Sequence, residues 1–272
     1  MNGGVCSVCT TVCRAANVRR QRSGMFQITV SVDNAHADWL YSVDEIIGNK
    51  LKNCIAVSAL KISGKRLYCS FGCEMSSRAQ MLNAVKEYLV ELFGVVAKFD
   101  YIKRHLMIGL PPANYELLIH TLVAFDRENE HKLLNKLIVV QDGMALDGMY
   151  NFRLTEIKER WLEICNLTRN NGAYLYDDET YNELLRFLIS AVNPKINKLT
   201  VCERNGKYRL TGLLKNSVLD FDVNNSTELM YYIIDLAPLE LIIDGCISNR
   251  EVTKRLIGIF DAKTLNTIKK KN

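Results

Sequence analysis

Three cysteines near the start of the chain, Cys6, Cys9 and Cys13, form C-x2-C-x3-C. Thiolates at such spacing can converge on zinc or on an iron–sulfur cluster. A closed structural zinc site takes four ligands, and no fourth Cys or His lies nearby in sequence, although Cys69 and Cys73 could complete one. The spacing is not a common zinc pattern, so the expectation is no metal. Cys54, Cys165 and Cys202 fall on apolar patterns, where a thiol packs as a small hydrophobe. The histidines His36, His105, His120 and His131 form no paired-ligand spacing, and His120 lies on a mainly apolar stretch that suits a structural role. No Walker A loop, G-x-G-x-x-G or G-x-S-x-G occurs. No cofactor and no enzymatic activity are therefore expected.

The carboxylates Asp177, Asp178 and Glu179 cluster where a helix should begin, and negative charge there complements the helix dipole. Beyond them, Glu179, Glu183 and Arg186 stand at i, i+4 and i+7 and share a helix face. Arg153, within Phe152-Arg153-Leu154, is expected to open the preceding helix. Antiparallel packing of the two helices would carry Arg153 towards Arg186. Arg153, Glu183 and Arg186 are thus the candidate binding residues, for an anionic ligand or as an ion pair. A surface pair contributes only roughly 0–1 kcal/mol; breaking a buried network costs roughly 3–5 kcal/mol. Residue types and spacing do not choose between these.

The chain that must position these groups has 272 residues, 48% apolar and 24% charged, as ordinary globular domains have. One elongated domain or two small ones would suit that length. The net charge is +5, and much of the surplus sits at the ends, in Arg14, Arg19, Arg20 and Arg22 and in Lys269, Lys270 and Lys271. Solvated tails are the expectation, with attraction to an anionic surface the alternative. No apolar run approaches a membrane span, and no secretory signal is visible. Nine scattered cysteines then read as reduced thiols in a cytoplasmic protein.

Periodicity points to an α+β fold with a mainly helical middle, a small N-terminal α/β unit and a C-terminal β-β-β-α-β-α unit. Residues 1–24 show no sustained period and are expected to be a disordered leader or an overextended gene start. Over 25–75, Phe26, Ile28 and Val30 alternate as a strand. Asp33–Lys52 follows as a helix, and a hairpin turns at Ser63-Gly64-Lys65. Over 76–194, Ser76 or Ser77 should cap a helix carrying Met81, Val85, Tyr88, Leu89, Leu92 and Val96. Pro111-Pro112 restarts the chain as a second helix, and a short third carries Leu133, Leu134 and Leu137. Phe152–Thr168 and Asp178–Val192 complete the region, with Trp161 on the apolar face of the former. Over 195–262, Asn205-Gly206 marks a type I′ hairpin, and Asn225/Glu228 and Ser248/Glu251 read as capping boxes. Residues 263–272 read as a basic tail.

Two stretches, Asp147-Gly148-Met149-Tyr150-Asn151-Phe152-Arg153-Leu154 and Asp178-Glu179-Thr180-Tyr181-Asn182-Glu183-Leu184-Leu185-Arg186-Phe187-Leu188, resemble the YtxC-like family of sporulation proteins. In that family a Gly-Phe-x-x-Phe-Arg-Leu segment precedes a helix, and a Glu-Tyr-x-Glu-Phe-x-x-Leu-Leu segment follows. Ile234-Asp235-Leu236-Ala237-Pro238 and the helix ending in Ile259-Phe260 are similar too. The likeness is best over 143–262. Met149 stands where the family usually has Phe, Thr180 separates Glu179 from Tyr181, and the tail from Ala262 lacks the cysteine common in the family. The resemblance implies a role in endospore formation with no established enzymatic activity, and it supplies no catalytic residues.

Together these readings favour a non-enzymatic cytoplasmic factor that binds a protein partner during sporulation. A weakly basic nucleic-acid binder is the alternative, and an enzyme acting on an anionic ligand the third reading. The facing of Trp161 is directly testable. Trp161→Ala should cost about 3–5 kcal/mol and lower the melting temperature markedly, and an unchanged thermal melt would show that the helix faces the other way.

Overall fold

The computed structural model describes residues 24–41, 43, 56–213, 217–245 and 247–265. The cysteines Cys6, Cys9 and Cys13, the basic end residues and most of the expected helix after Asp33 lie outside these. Strand β1 (Met25–Asp33) buries Ile28, Val30 and Val32 on one side, as its alternation demands. A 3-10 turn capped by Asp33 and a short helix α1 (Asp38–Tyr41) follow. Strands β2 (Ala56–Ser63) and β3 (Arg66–Glu74) form the predicted hairpin, with Gly64 at φ +61°. β3 pairs antiparallel with β1. The fourth strand, β4 (Met144–Ala145), was not foreseen; it pairs parallel with β1 at Val30 and Ser31. Two residues carry no readable alternation.

Helix α2 (Arg78–Glu91), a π-helical stretch (Leu92–Ala97) and α3 (Lys98–His105) follow one another without a break. Ser76 and Ser77 lie in a 3-10 turn, and Ser77 makes no capping hydrogen bond. The π stretch is wound more loosely than an α-helix, which rotates the apolar stripe. Val96, on the stripe by simple counting, is consequently 45% exposed. Within that stretch Gly94 lets the His131 ring come close, since a Cβ there would stand 3.1 Å from His131 Nε2.

Helix α4 (Pro112–Ala124) starts on its proline, and α5 (Arg127–Leu137) follows a left-handed turn residue, Asp126. The helix expected over 152–168 begins three residues later, at Thr155, and a separate short helix that periodicity did not show precedes it. α6 (Leu146–Phe152) ends with Arg153 as its C-cap, and α7 (Thr155–Asn170) begins afresh. Asn171 closes α7 at φ −98°, an ordinary negative angle, and the chain passes into a 3-10 turn (Gly172–Tyr176). Helix α8 (Asp178–Ser190) is capped by Asp177, whose carboxylate accepts from the Thr180 amide.

The C-terminal unit has the predicted order: β5 (Lys198–Arg204), β6 (Lys207–Thr211), β7 (Leu219–Asp222), α9 (Ser226–Leu236), β8 (Glu240–Asp244) and α10 (Arg250–Phe260). Asn205 and Gly206 both have positive φ, as a type I′ turn requires. A further strand, β9 (Lys263–Leu265), occupies residues expected in the basic tail and pairs parallel with β8. The sheet order is β7-β6-β5-β8-β9. Asn225 caps α9 and bonds Glu228, as the capping box foretold. Asn249, not Ser248, caps α10; Ser248 instead donates to the Glu203 carboxylate. The chain is thus α+β, and among the described residues no helix is long and apolar enough to cross a membrane.

The helical middle has no core of its own. Trp39, Phe93, Tyr150 and Trp161 pack in a cluster with the first sheet, while Leu118, Tyr181 and Leu185 pack in a second cluster with the last. The helical run from α2 to α3 passes from one to the other, Phe93 in the first and Ile102 in the second. At the seam stands Lys98, fully buried. Its ammonium donates to the Val123 and Phe125 carbonyls at 3.2 and 2.9 Å and to Glu130 Oε2 at 2.8 Å. Trp161 Nε1 donates to the other Glu130 oxygen at 2.9 Å. Burial drives the Lys98 pKa down and the Glu130 pKa up, and their mutual attraction opposes both shifts.

Truncating one partner strands the other charge in the interior. Lys98→Met should therefore cost about 3–5 kcal/mol. The double variant Lys98→Met/Glu130→Gln, which removes both charges and keeps an acceptor for Trp161, should lose less than the single one. Urea unfolding of both proteins decides this, and a double variant weaker than the single would refute the stranded-charge account.

Candidate functional site

The structure separates the three residues singled out by sequence. Arg153 is exposed at the end of α6, in the part of the chain that packs with the first sheet. Arg186 lies on α8 and donates through Nε and a terminal nitrogen to the Gly258 carbonyl of α10, at 3.1 and 2.6 Å. Glu183 is exposed on α8. Among the described residues no ion pair joins any two of them. Arg186 therefore ties α8 to α10, and because α7 packs mainly on α3 while α8 packs on α4 and α10, the antiparallel pairing that would carry Arg153 to Arg186 is not made.

Between α7 and α8 lies a groove of about 370 Å³. Its deep surface is apolar and buried: Leu122 of α4, Leu175 of the 3-10 turn and Leu188 of α8. Its rim carries large apolar side chains left in solvent. Leu167 is 58% exposed, Tyr174 68% and Phe187 65%. Scattered exposed hydrophobics are ordinary, but a cluster around a preformed apolar concavity marks an interaction site. Tyr181 anchors the α8 wall by donating to the Asn114 carbonyl at 2.7 Å, and burial pushes its phenol well above the usual range.

Local sequence accounts for this placement. The buried stripe of α7 runs through Ile157, Trp161 and Cys165, and that of α8 through Tyr181, Leu185 and Leu188. Leu167 and Phe187 lie off those stripes, so an apolar residue there has no core to enter. Their mismatch with the stripe was the available signal. Tyr174 had none, because its orientation comes from the 3-10 turn.

A second concavity, about 450 Å³, lies at the start of α5 and the segment after α8. Arg127, His131 and Lys195 line it. Arg127 pairs with Glu91 and stands 3.8 Å from Asp235, and His131 Nε2 stands 3.5 Å from Glu91 without hydrogen-bond geometry. Burial lowers the pKa of both His131 and Lys195, with Arg127 adding to each shift. Carboxylates thus already answer the cations here, so the site offers an anion less than its lining suggests. Of the histidines, His120 stacks on Tyr231 with ring centroids 3.6 Å apart and serves packing. Cys69 and Cys73 are buried in β3. Among the described residues no three His, Cys, Asp or Glu side chains are grouped to hold a metal.

No family model, no curated protein and no solved structure is similar to this chain at a significant level. The groove must therefore be read from its own chemistry.

Beside the groove, on α7, Cys165 is buried, and burial raises its thiol pKa to about 11. The thiolate is the reactive form. At pH 8 iodoacetamide should leave Cys165 unmodified in the folded protein and alkylate it in urea, as read by peptide mass spectrometry. Rapid labelling of the folded protein would show that the α7 wall opens.

Proposed function

We propose that this chain is a non-enzymatic, cytoplasmic protein-binding factor acting in a sporulation programme, and that the groove between α7 and α8 is where its partner docks. The observation that carries the docking part is the exposed rim of Leu167, Tyr174 and Phe187 over a buried apolar floor. Helix-in-groove recognition uses such a surface, with apolar anchors from the partner entering a preformed channel. The sporulation setting rests on the motif resemblance over 143–262 alone. Part of that motif, Leu184 to Leu188, forms one wall of the groove.

The nucleic-acid reading has less support on this face. Phosphate recognition needs concentrated Lys and Arg, whereas 155–190 holds seven carboxylates against four cations.

A photo-crosslinking amino acid placed at Phe187 tests the docking surface in sporulating cells. It should yield a discrete adduct that the same group at Ile62, exposed on the N-terminal sheet, does not. Identical adduct patterns from both positions, or no adduct from position 187, would overturn the reading.

A further inference from the structure

We infer that the occupant of the groove is a basic amphipathic helix, one whose apolar stripe is flanked by Lys or Arg. This deepens the docking reading and rests on it. Both walls repeat one pattern. On α7, Glu159, Glu163 and Leu167 follow at i, i+4 and i+8; on α8, Glu179, Glu183 and Phe187 do the same. Residues so spaced share one helix face. Each wall thus leads from two carboxylates to a large exposed hydrophobe.

These carboxylates are available. Glu159, Glu163, Glu179 and Glu183 are all exposed, and none makes an ion pair among the described residues. Of the four cations on the same elements one is neutralised, and the other three are held in place by neutral acceptors and keep their charge. Arg160 pairs with Glu156 at 2.8 Å, and Arg186 is held by the Gly258 carbonyl. Lys158 donates to the Asn151 carbonyl at 3.1 Å and Arg169 to Asn166 at 2.8 Å. With seven carboxylates against four cations over 155–190, a chain of net charge +5 is locally acidic here, and Glu163 and Glu183 stand one helical turn from the rim residues Leu167 and Phe187. Complementary charge steers such an encounter and fixes its register.

Size and sign narrow the choice further. The α7 wall runs from Ile164 to Asn171, about 10 Å at 1.5 Å per residue, which accommodates two turns of a helix with anchors at i, i+3 or i+4, and i+7. A second copy docking face to face about a two-fold axis would set these carboxylates against themselves, and like charges in apposition disfavour that assembly.

Two synthetic helices with the same leucine stripe, one flanked by lysines and one by glutamates, provide the test with the full chain. Fluorescence anisotropy should show the lysine-flanked peptide binding at least about tenfold tighter, with the difference shrinking as salt rises. Glu163→Lys/Glu183→Lys should reverse the preference, and Phe187→Asp should abolish binding of both peptides. Circular dichroism melts confirm that each variant is folded. Equal binding of both peptides, lost in Phe187→Asp, would overturn the charge inference and leave the docking surface standing. Binding of neither peptide, or binding untouched by Phe187→Asp, would overturn both. A dimer in sedimentation that Phe187→Asp dissociates would assign the groove to a second copy and overturn the inference.

Discussion

The Lys98 ammonium is the point on which the arrangement of helices depends. A buried cation must find all its partners within the protein, because water is excluded. Here the partners come from three other places in the chain: the C-terminal carbonyls of α4, the Glu130 carboxylate in α5, and, through that carboxylate, the indole of Trp161 in α7. The last carbonyls of a helix have no intrahelical donor, so Lys98 also closes the end of α4. One charge thus sets the turn between α4 and α5 and holds α3 and α7 against them. Displacing any of these helices would expose an unpaired buried group.

The π-helical stretch immediately before Lys98 gives this arrangement its geometry. It changes the phase of the helix between Glu91 and Lys98, so that Phe93 faces the N-terminal core while Ile102 faces the C-terminal one. The same change turns Val96 outwards. At Gly94 the absent side chain admits His131, which draws α5 against the π stretch. Two sheets that share no strands are thereby joined through a single helical run, and the helical middle serves as the common wall of both cores.

The groove is a by-product of that construction. α7 packs on α3 near its start, where Trp161 is held, while α8 packs on α4 and on α10, where Arg186 reaches Gly258. The 3-10 turn joins two helices that answer to different neighbours. Their facing sides remain apart over Leu122 and Leu188, and Leu167 and Phe187 are left on either side. Each wall of the groove is thus positioned by contacts other than those across the groove itself.

The sequence by itself determined the elements whose signals are local. The Asn205-Gly206 turn, the proline start of α4, the caps at Asp177 and Asn225 and the apolar face carrying Trp161 all follow from side-chain chemistry within a few residues. Where two neighbours compete for the same task, local chemistry was ambiguous, as when Asn249 capped α10 and Ser248 bonded Glu203 instead. The short helix α6 was missed, and Phe152 and Leu154, by fitting the apolar pattern of α7, drew the expected start of that helix back across the turn at Arg153. Strand β4 and strand β9 exist only because β1 and β8 offer free edges. Only the tertiary structure could decide that Lys98 and Glu130, ordinary charged residues by type, are buried together, since their partners come from separate helices. It also decided that two separately positioned helices leave Leu167 and Phe187 facing one groove. Burial and concavity are properties of elements brought together, and no periodicity within one element encodes them.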